Sequence, residues 1–220
     1  MSACTRREPG RRRPSFRHVS SASRTLAGVS HRIVFALALA IVLVSAGCGA
    51  SSVASFSPSG PCSADGSAPG AYPDLESLVP PSYEGRAPDK LDSGRNCTKA
   101  NLGGLADAGF AEVRFAGGTW DLGGYRAAAL VVFEAPGLTA DHVARFYEAS
   151  ARAANRTKVT GVSDPLLAGR PGHRLDSLTG ERLQTVMVWP AATADRVNVV
   201  LTNDLPDPKI DAAVAAFGGD

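Results

Sequence analysis

A twelve-residue apolar run at residues 33–44, followed by three small residues and a cysteine, constrains the organisation of this chain most. The run contains no polar side chain and is shorter than the ~20 residues that a membrane-spanning helix needs. Its length fits the apolar core of a secretory signal, roughly 7–15 residues, and Arg32 supplies the basic flank. We therefore expect residues 1–47 to be a leader and the folded domain to follow it.

The segment LVSAGCG, residues 43–49, resembles the lipobox, the motif at the signal cleavage site of bacterial lipoprotein precursors. In that family the cysteine receives a diacylglyceryl group and becomes the new N-terminus. Ala46, Gly47 and Cys48 match the motif, whereas Ser45 stands where leucine is most common. The resemblance implies lipidation of Cys48 and a location on the extracytoplasmic face of the cell membrane. Such an anchor is stable, since a single acyl chain alone holds a protein only marginally.

Two alternatives remain open for the leader. Residues 33–47 could stay uncleaved as a membrane anchor, in which case Cys48 would be an ordinary cysteine. In addition, more than thirty residues precede the apolar run, and their Arg-, Ser- and Pro-rich composition cannot bury enough surface to fold. Residues 1–28 are therefore either disordered or not translated at all, with Val29 rather than Met1 as the start.

The charge distribution argues against a nucleic-acid partner. Residues 1–47 carry eight arginines and one acidic residue, a net charge of +7. Residues 48–220 carry 15 basic and 20 acidic residues, a net charge of −5, although the whole chain is formally +2. Binding to phosphates needs clustered Lys and Arg in the working domain. The basic residues instead belong to the leader, so we expect the partner to be the membrane.

The segment after the anchor has the composition of a linker, and it contains the first of two paired cysteines. Residues 48–71 are dominated by Ser, Gly, Ala and Pro, which predicts a flexible spacer between Cys48 and a single domain at residues 72–220. Export would place Cys62 and Cys97 in an oxidising compartment. We therefore predict a disulfide between them, because neither a CxxC motif nor a nearby histidine suggests a metal or redox pair.

The mature part alternates helical and strand patterns in an order typical of an α+β domain. We expect helices at residues 73–79, 99–108, 139–154 and 208–217, and strands at residues 110–115, 125–134, 158–163, 173–178, 183–189 and 196–202. Short turns between consecutive strands predict an antiparallel sheet, with helices packed mainly on one face. Residues 169–203 are loosely similar to small exported domains of the PsbP type, which also pack helices on an antiparallel sheet.

No pattern in the domain predicts catalytic chemistry, a metal site or a cofactor. His142 and His173 have no neighbouring nucleophile motif, and we assign no catalytic residue. Trp120, within the glycine-bounded segment GGTWDLGGY, is the one speculative ligand-binding residue, as a wall of an exposed groove. The competing interpretation is that Trp120 covers the edge of the core in a hairpin loop.

Three functions are compatible with a tethered domain of this kind. The leading hypothesis is a non-enzymatic binding or interaction module of the cell envelope, whose partner is an envelope protein or a small ligand. The alternatives are a tethered hydrolase with an unfamiliar site and a carrier of lipids or other small molecules. A deep pocket lined by a polar cluster would favour an enzyme, whereas a lipid carrier requires a large apolar cavity.

Overall fold

The computed structural model describes residues 56–218, and the apolar run, Cys48 and the alternative start at Val29 lie outside them. Within these described residues the chain forms ten strands, all in antiparallel pairs. They are β1 (Gly66–Ala68), β2 (Lys90–Asn96), β3 (Val113–Gly123), β4 (Arg126–Glu134), β5 (Thr157–Ser163), β6 (Leu166–Leu167), β7 (Arg170–Pro171), β8 (His173–Thr179), β9 (Arg182–Pro190) and β10 (Arg196–Asn203).

Five helices accompany these strands, and the predicted α+β class with an antiparallel sheet is confirmed. The helices are α1 (Pro73–Glu76), α2 (Lys99–Leu102), α3 (Gly104–Asp107), α4 (Ala140–Ala153) and α5 (Asp207–Ala216). Within residues 56–218, no helix has the length and apolar character needed to cross a bilayer.

Eight strands build one sheet in the order β1-β2-β3-β4-β10-β9-β8-β5, and β6 pairs with β7 in a separate ribbon. Two meanders, β1 to β4 and β8 to β10, are joined where β10 pairs with β4. The last strand of the chain therefore lies in the middle of the sheet. Because side chains alternate along a strand, successive residues of β10 lie on opposite faces of the sheet.

The sheet buries a different apolar cluster on each of its faces. One, which we call the tryptophan face, carries Trp120, Trp189 and Val200 and packs against residues of α1 and α5. The other, the valine face, carries Val197 and Val199 and packs against residues of α2, α3 and α4. The prediction that the helices pack mainly on one face is therefore not confirmed, because helices contribute to both clusters.

The segment expected to be a flexible linker is part of the fold from residue 56 onward. Strand β1 pairs with β2, and Phe56 packs against the cluster of the tryptophan face. The terminal nitrogen Nη2 of Arg95 donates to the carbonyl oxygens of Ser57, Gly60 and Pro61 at 2.8–2.9 Å. The predicted domain boundary at residue 72 is corrected accordingly: the folded domain extends at least to Phe56.

The disulfide predicted between Cys62 and Cys97 is present, with the two Cα atoms 5.4 Å apart. Asp65, three residues after Cys62, accepts hydrogen bonds from the backbone N–H groups of Cys97 and Thr98 at 2.5 and 2.9 Å. Burial raises the pKa of the Asp65 carboxyl, but these hydrogen bonds and one from the Thr98 hydroxyl outweigh it, so that the net pKa is lowered. A covalent bond and a charged hydrogen-bond acceptor thus join the N-terminal segment to the end of β2.

Candidate functional site

Trp120 is a core residue and does not form the wall of an exposed groove. Its side chain is only 1% exposed on the tryptophan face, and its indole Nε1 donates to the carbonyl oxygen of Arg86 at 2.9 Å. The ring of Tyr83 meets it edge-on, with centroids 5.9 Å apart. Trp189 is equally buried, with Phe217 edge-on against it at 5.2 Å. The speculative ligand-binding role of Trp120 therefore has no support in its position.

A pocket of about 360 Å³ opens on the tryptophan face, close to the Trp189–Phe217 pair. The segment after α1, the turn between β9 and β10, and the C-terminal end of α5 enclose it. Most of its lining is apolar or small, and the residues that matter most are Leu78, Pro80, Val132, Arg196 and Asn198. Ligand pockets are commonly of this kind, roughly 300–1,000 Å³, with apolar walls and a few polar groups.

Asn198 is the buried polar residue of this pocket. It is 3% exposed, and it lies in the middle of the sheet between Val132 of β4 and Trp189 of β9. Its side-chain carboxamide has no hydrogen-bond partner among residues 56–218. Within residues 56–218, the side-chain atom that is fully buried without a partner is Nε of Arg95, so the amide atoms of Asn198 still reach the space of the pocket. An unpaired carboxamide at a pocket wall is available to a ligand.

Arg196 places a positive charge at the same pocket. Its Nε donates to Oε2 of Glu134 at 2.6 Å, and its terminal nitrogens have no partner among the described residues. Glu134 also accepts from Arg114 at 2.5 Å, so one carboxylate is shared between two guanidinium groups. None of the described residues that line the pocket is acidic. The free donors of Arg196 are therefore the charged feature that a ligand would meet there.

A second cluster of polar residues lies on the valine face, around His173 at the beginning of β8. Its Nδ1 lies 2.8 Å from Oδ1 of Asp164, and its Nε2 lies 2.8 Å from Oδ1 of Asp141 in the first turn of α4. Both ring nitrogens of His173 therefore lie within hydrogen-bond distance of a carboxylate oxygen. These contacts hold the ring between α4 and the segment that joins β5 to β6.

The His173 cluster forms the rim of a pocket of about 230 Å³, whose apolar lining includes Leu175, Val186 and Val188. Tyr147 of α4 also lines it, and its hydroxyl group has no hydrogen-bond partner in the described part of the chain. Burial raises the pKa of this hydroxyl, which therefore stays a neutral O–H at physiological pH. Serine, threonine and cysteine are absent from the lining, so no conventional nucleophile faces His173.

His142, the other histidine of the domain, has a structural position. Its ring packs edge-on against Phe110 with centroids 5.1 Å apart, and its Nδ1 lies 3.0 Å from the hydroxyl oxygen of Thr139. Thr139 is the N-cap of α4 and accepts from the backbone N–H of His142. His142 therefore supports the start of the helix and does not reach a pocket.

Sequence reasoning missed both polar constellations, although one of them has a recognisable signal. In the strand predicted at residues 196–202, Asn198 stands between valines in an otherwise apolar run, and Arg196 lies two positions before it. The period of two places these side chains on one face. By contrast, Asp141, Asp164 and His173 come from three separate segments, and no local pattern connects them.

No protein-family model matches this chain, and a comparison with curated proteins finds no match either.

Proposed function

We propose that this chain is an extracytoplasmic lipoprotein, tethered to the cell membrane through Cys48, whose domain is a non-enzymatic binding module of the envelope. The observation that carries the proposal is the disulfide between Cys62 and Cys97. Structural disulfides form and persist in oxidising compartments outside the cytoplasm. This bond supports export independently of the lipobox-like segment that precedes it.

The two pockets favour binding over catalysis. Hydrolysis by covalent catalysis needs a nucleophile next to a base. His173 has both ring nitrogens in contact with carboxylates, and its pocket presents no serine, threonine or cysteine. The pocket at Asn198 instead offers an unpaired carboxamide and free guanidinium donors within apolar walls. Such groups hold and orient a ligand without transforming it.

The anchor can be tested by expressing the full-length chain in a bacterium and separating detergent-rich from aqueous phases. We expect the wild-type protein in the detergent phase, with an N-terminal peptide that begins at Cys48 and carries the added mass of a diacylglyceryl group. The Cys48→Ser variant should lose this mass. Its uncleaved leader could itself partition into detergent, so the mass of the N-terminal peptide is the decisive readout.

The matched control is Ser45→Leu, which brings the segment closer to the commonest lipobox pattern. It should be processed at least as completely as the wild-type chain, whereas Cys48→Ser should accumulate as precursor. Unmodified Cys48 in the membrane-bound wild-type protein would contradict the lipid anchor and favour the uncleaved alternative.

A further inference from the structure

We infer that the pocket on the tryptophan face binds a small carboxylate with an apolar body, held by Asn198 and Arg196. This inference deepens the proposed binding function by naming its ligand class. It does not depend on the anchor at Cys48, because both residues belong to β10 within the folded domain.

The charge of the lining selects an anionic group. Arg196 is the charged residue of the pocket, and no carboxylate faces it from the lining. Glu134 occupies only the Nε of Arg196, and Arg114 already donates to the same carboxylate. Two guanidinium groups thus share one acidic partner, which leaves positive charge and terminal N–H donors at the pocket. A carboxylate matches these donors in both charge and planar geometry.

Asn198 supplies a second, directional contact. Its carboxamide is fixed on a central strand, and register places it two residues from Arg196 on the same side of β10. An amide N–H can donate to the second oxygen of a carboxylate, or its C=O can accept from a hydroxyl or amide group nearby on the ligand. The side chain is 3% exposed and its amide atoms reach the pocket, so a ligand there would meet them where little bulk solvent competes.

The other lining residues indicate the polarity and size of the rest of the ligand. Leu78, Pro80, Pro81, Val132 and Phe217 present apolar surface to the pocket. Leu78 is 40% exposed, which is unusual among the large apolar side chains of this fold. A volume of about 360 Å³ is at the small end for ligand pockets, so the body should be a single ring or a short chain and not a diacyl lipid.

Phenylacetate and its neutral counterpart phenylacetamide test the inference, because they share a shape and differ in charge. We expect phenylacetate to bind the full-length protein saturably in calorimetric titration. Phenylacetamide should bind weaker by on the order of tenfold, the loss typical of a charge-assisted hydrogen bond. Asn198→Leu and Arg196→Gln should each weaken phenylacetate binding by a similar factor, and Arg196→Lys should rescue it only in part.

His173→Gln, on the opposite face of the sheet, is the matched control and should leave phenylacetate binding unchanged. Far-ultraviolet circular dichroism on every variant separates lost binding from lost folding. The inference is overturned if no carboxylate in a series from acetate to octanoate, phenylacetate included, binds saturably. Equal affinity for phenylacetamide, or unchanged affinity in folded Asn198→Leu, overturns it as well. A failure of lipidation at Cys48 would leave all these results unaffected, so the two proposals are tested separately.

Discussion

At the scale of single residues, the interior of this domain contains polar side chains of two kinds. Most are paired within the protein: the Ser93 hydroxyl accepts from the backbone N–H of Tyr72 at 2.7 Å, and the Thr185 hydroxyl donates to Asp176 at 2.6 Å. Asn198 is of the second kind: it makes no hydrogen bond within residues 56–218, and its amide atoms reach the pocket on the tryptophan face. A polar side chain placed in this way can pair with a ligand.

Replacing Asn198 by leucine should impair the pocket and leave the fold intact. The two side chains are similar in size, and the amide makes no hydrogen bond within residues 56–218, so we expect the free energy of unfolding to change by less than about 1 kcal/mol. Urea denaturation measures this effect. Thr202→Val on the same strand is the comparison: its hydroxyl donates to the carbonyl oxygen of Thr185, and its loss should lower the free energy of unfolding. A marked destabilisation by Asn198→Leu would contradict the prediction.

At the scale of elements, the helix predicted at residues 139–154 illustrates what the sequence determines. It is found as α4, capped by Thr139, with an ion pair between Glu148 and Arg152 at 2.6 Å. Local signals suffice there because the cap, the apolar period and the ion pair all lie within the helix. The helix predicted at residues 99–108 is instead split into α2 and α3 at Gly103, whose φ of 49° is incompatible with a continuous helix.

Glycines also misled the prediction of strands. Gly117 and Gly118 indicate a turn in the sequence, yet they lie inside β3, and the ring of Trp120 covers Gly118. A Cβ atom at Gly118 would lie 2.8 Å from that ring. Glycine here lets the ring of Trp120, two residues further along the strand, pack closely. That the segment is a strand and not a turn depends on its pairing with β2 and β4, which are separate segments of the chain. Strand β1 was not predicted, because the composition of its segment resembles that of a linker.

The pairing of β1 depends on another such glycine and gives a prediction at this scale. A Cβ at Gly94 of β2 would lie 2.1 Å from the carbonyl oxygen of Gly66 in β1. We expect Gly94→Ala to detach β1 from the sheet while β3 and β4 keep their pairing. Hydrogen exchange should show lost amide protection at residues 66–68.

Gly161→Ala is the matched control for this experiment, because a Cβ there would meet only the side chain of Asp176, at 3.6 Å or more. Unchanged protection of residues 66–68 in Gly94→Ala would show that β1 tolerates the added methyl group.

At the scale of the whole molecule, the sequence predicted the fold class and the disulfide but neither of the two pockets. The class of fold and the Cys62–Cys97 pair followed from local patterns and from counting cysteines. Neither pocket could be predicted, because each is formed where distant segments meet on opposite faces of the sheet. The extent of the domain was also underestimated, since Arg95 binds the segment before β1 through contacts distant in sequence.

Loss of the disulfide should lower the free energy of unfolding of the whole domain. The bond joins cysteines separated by 35 residues, and closing a loop of this size contributes up to about 4 kcal/mol on the chain-entropy model. We expect the double variant Cys62→Ser, Cys97→Ser to unfold at a lower urea concentration than the oxidised wild-type protein. Reduced wild-type protein is the control and should unfold with the double variant. Identical midpoints for oxidised and reduced protein would contradict the prediction.

The position of this disulfide has a mechanical consequence for a protein held at its N-terminal side. Force applied to the residues before Phe56 would pass from Cys62 across the covalent bond to Cys97, at the end of β2. The chain between the two cysteines, which includes β1 and α1, would carry no tension. A pull could therefore extend the chain only as far as Cys62, and β1 would not be peeled from the edge of the sheet by the load.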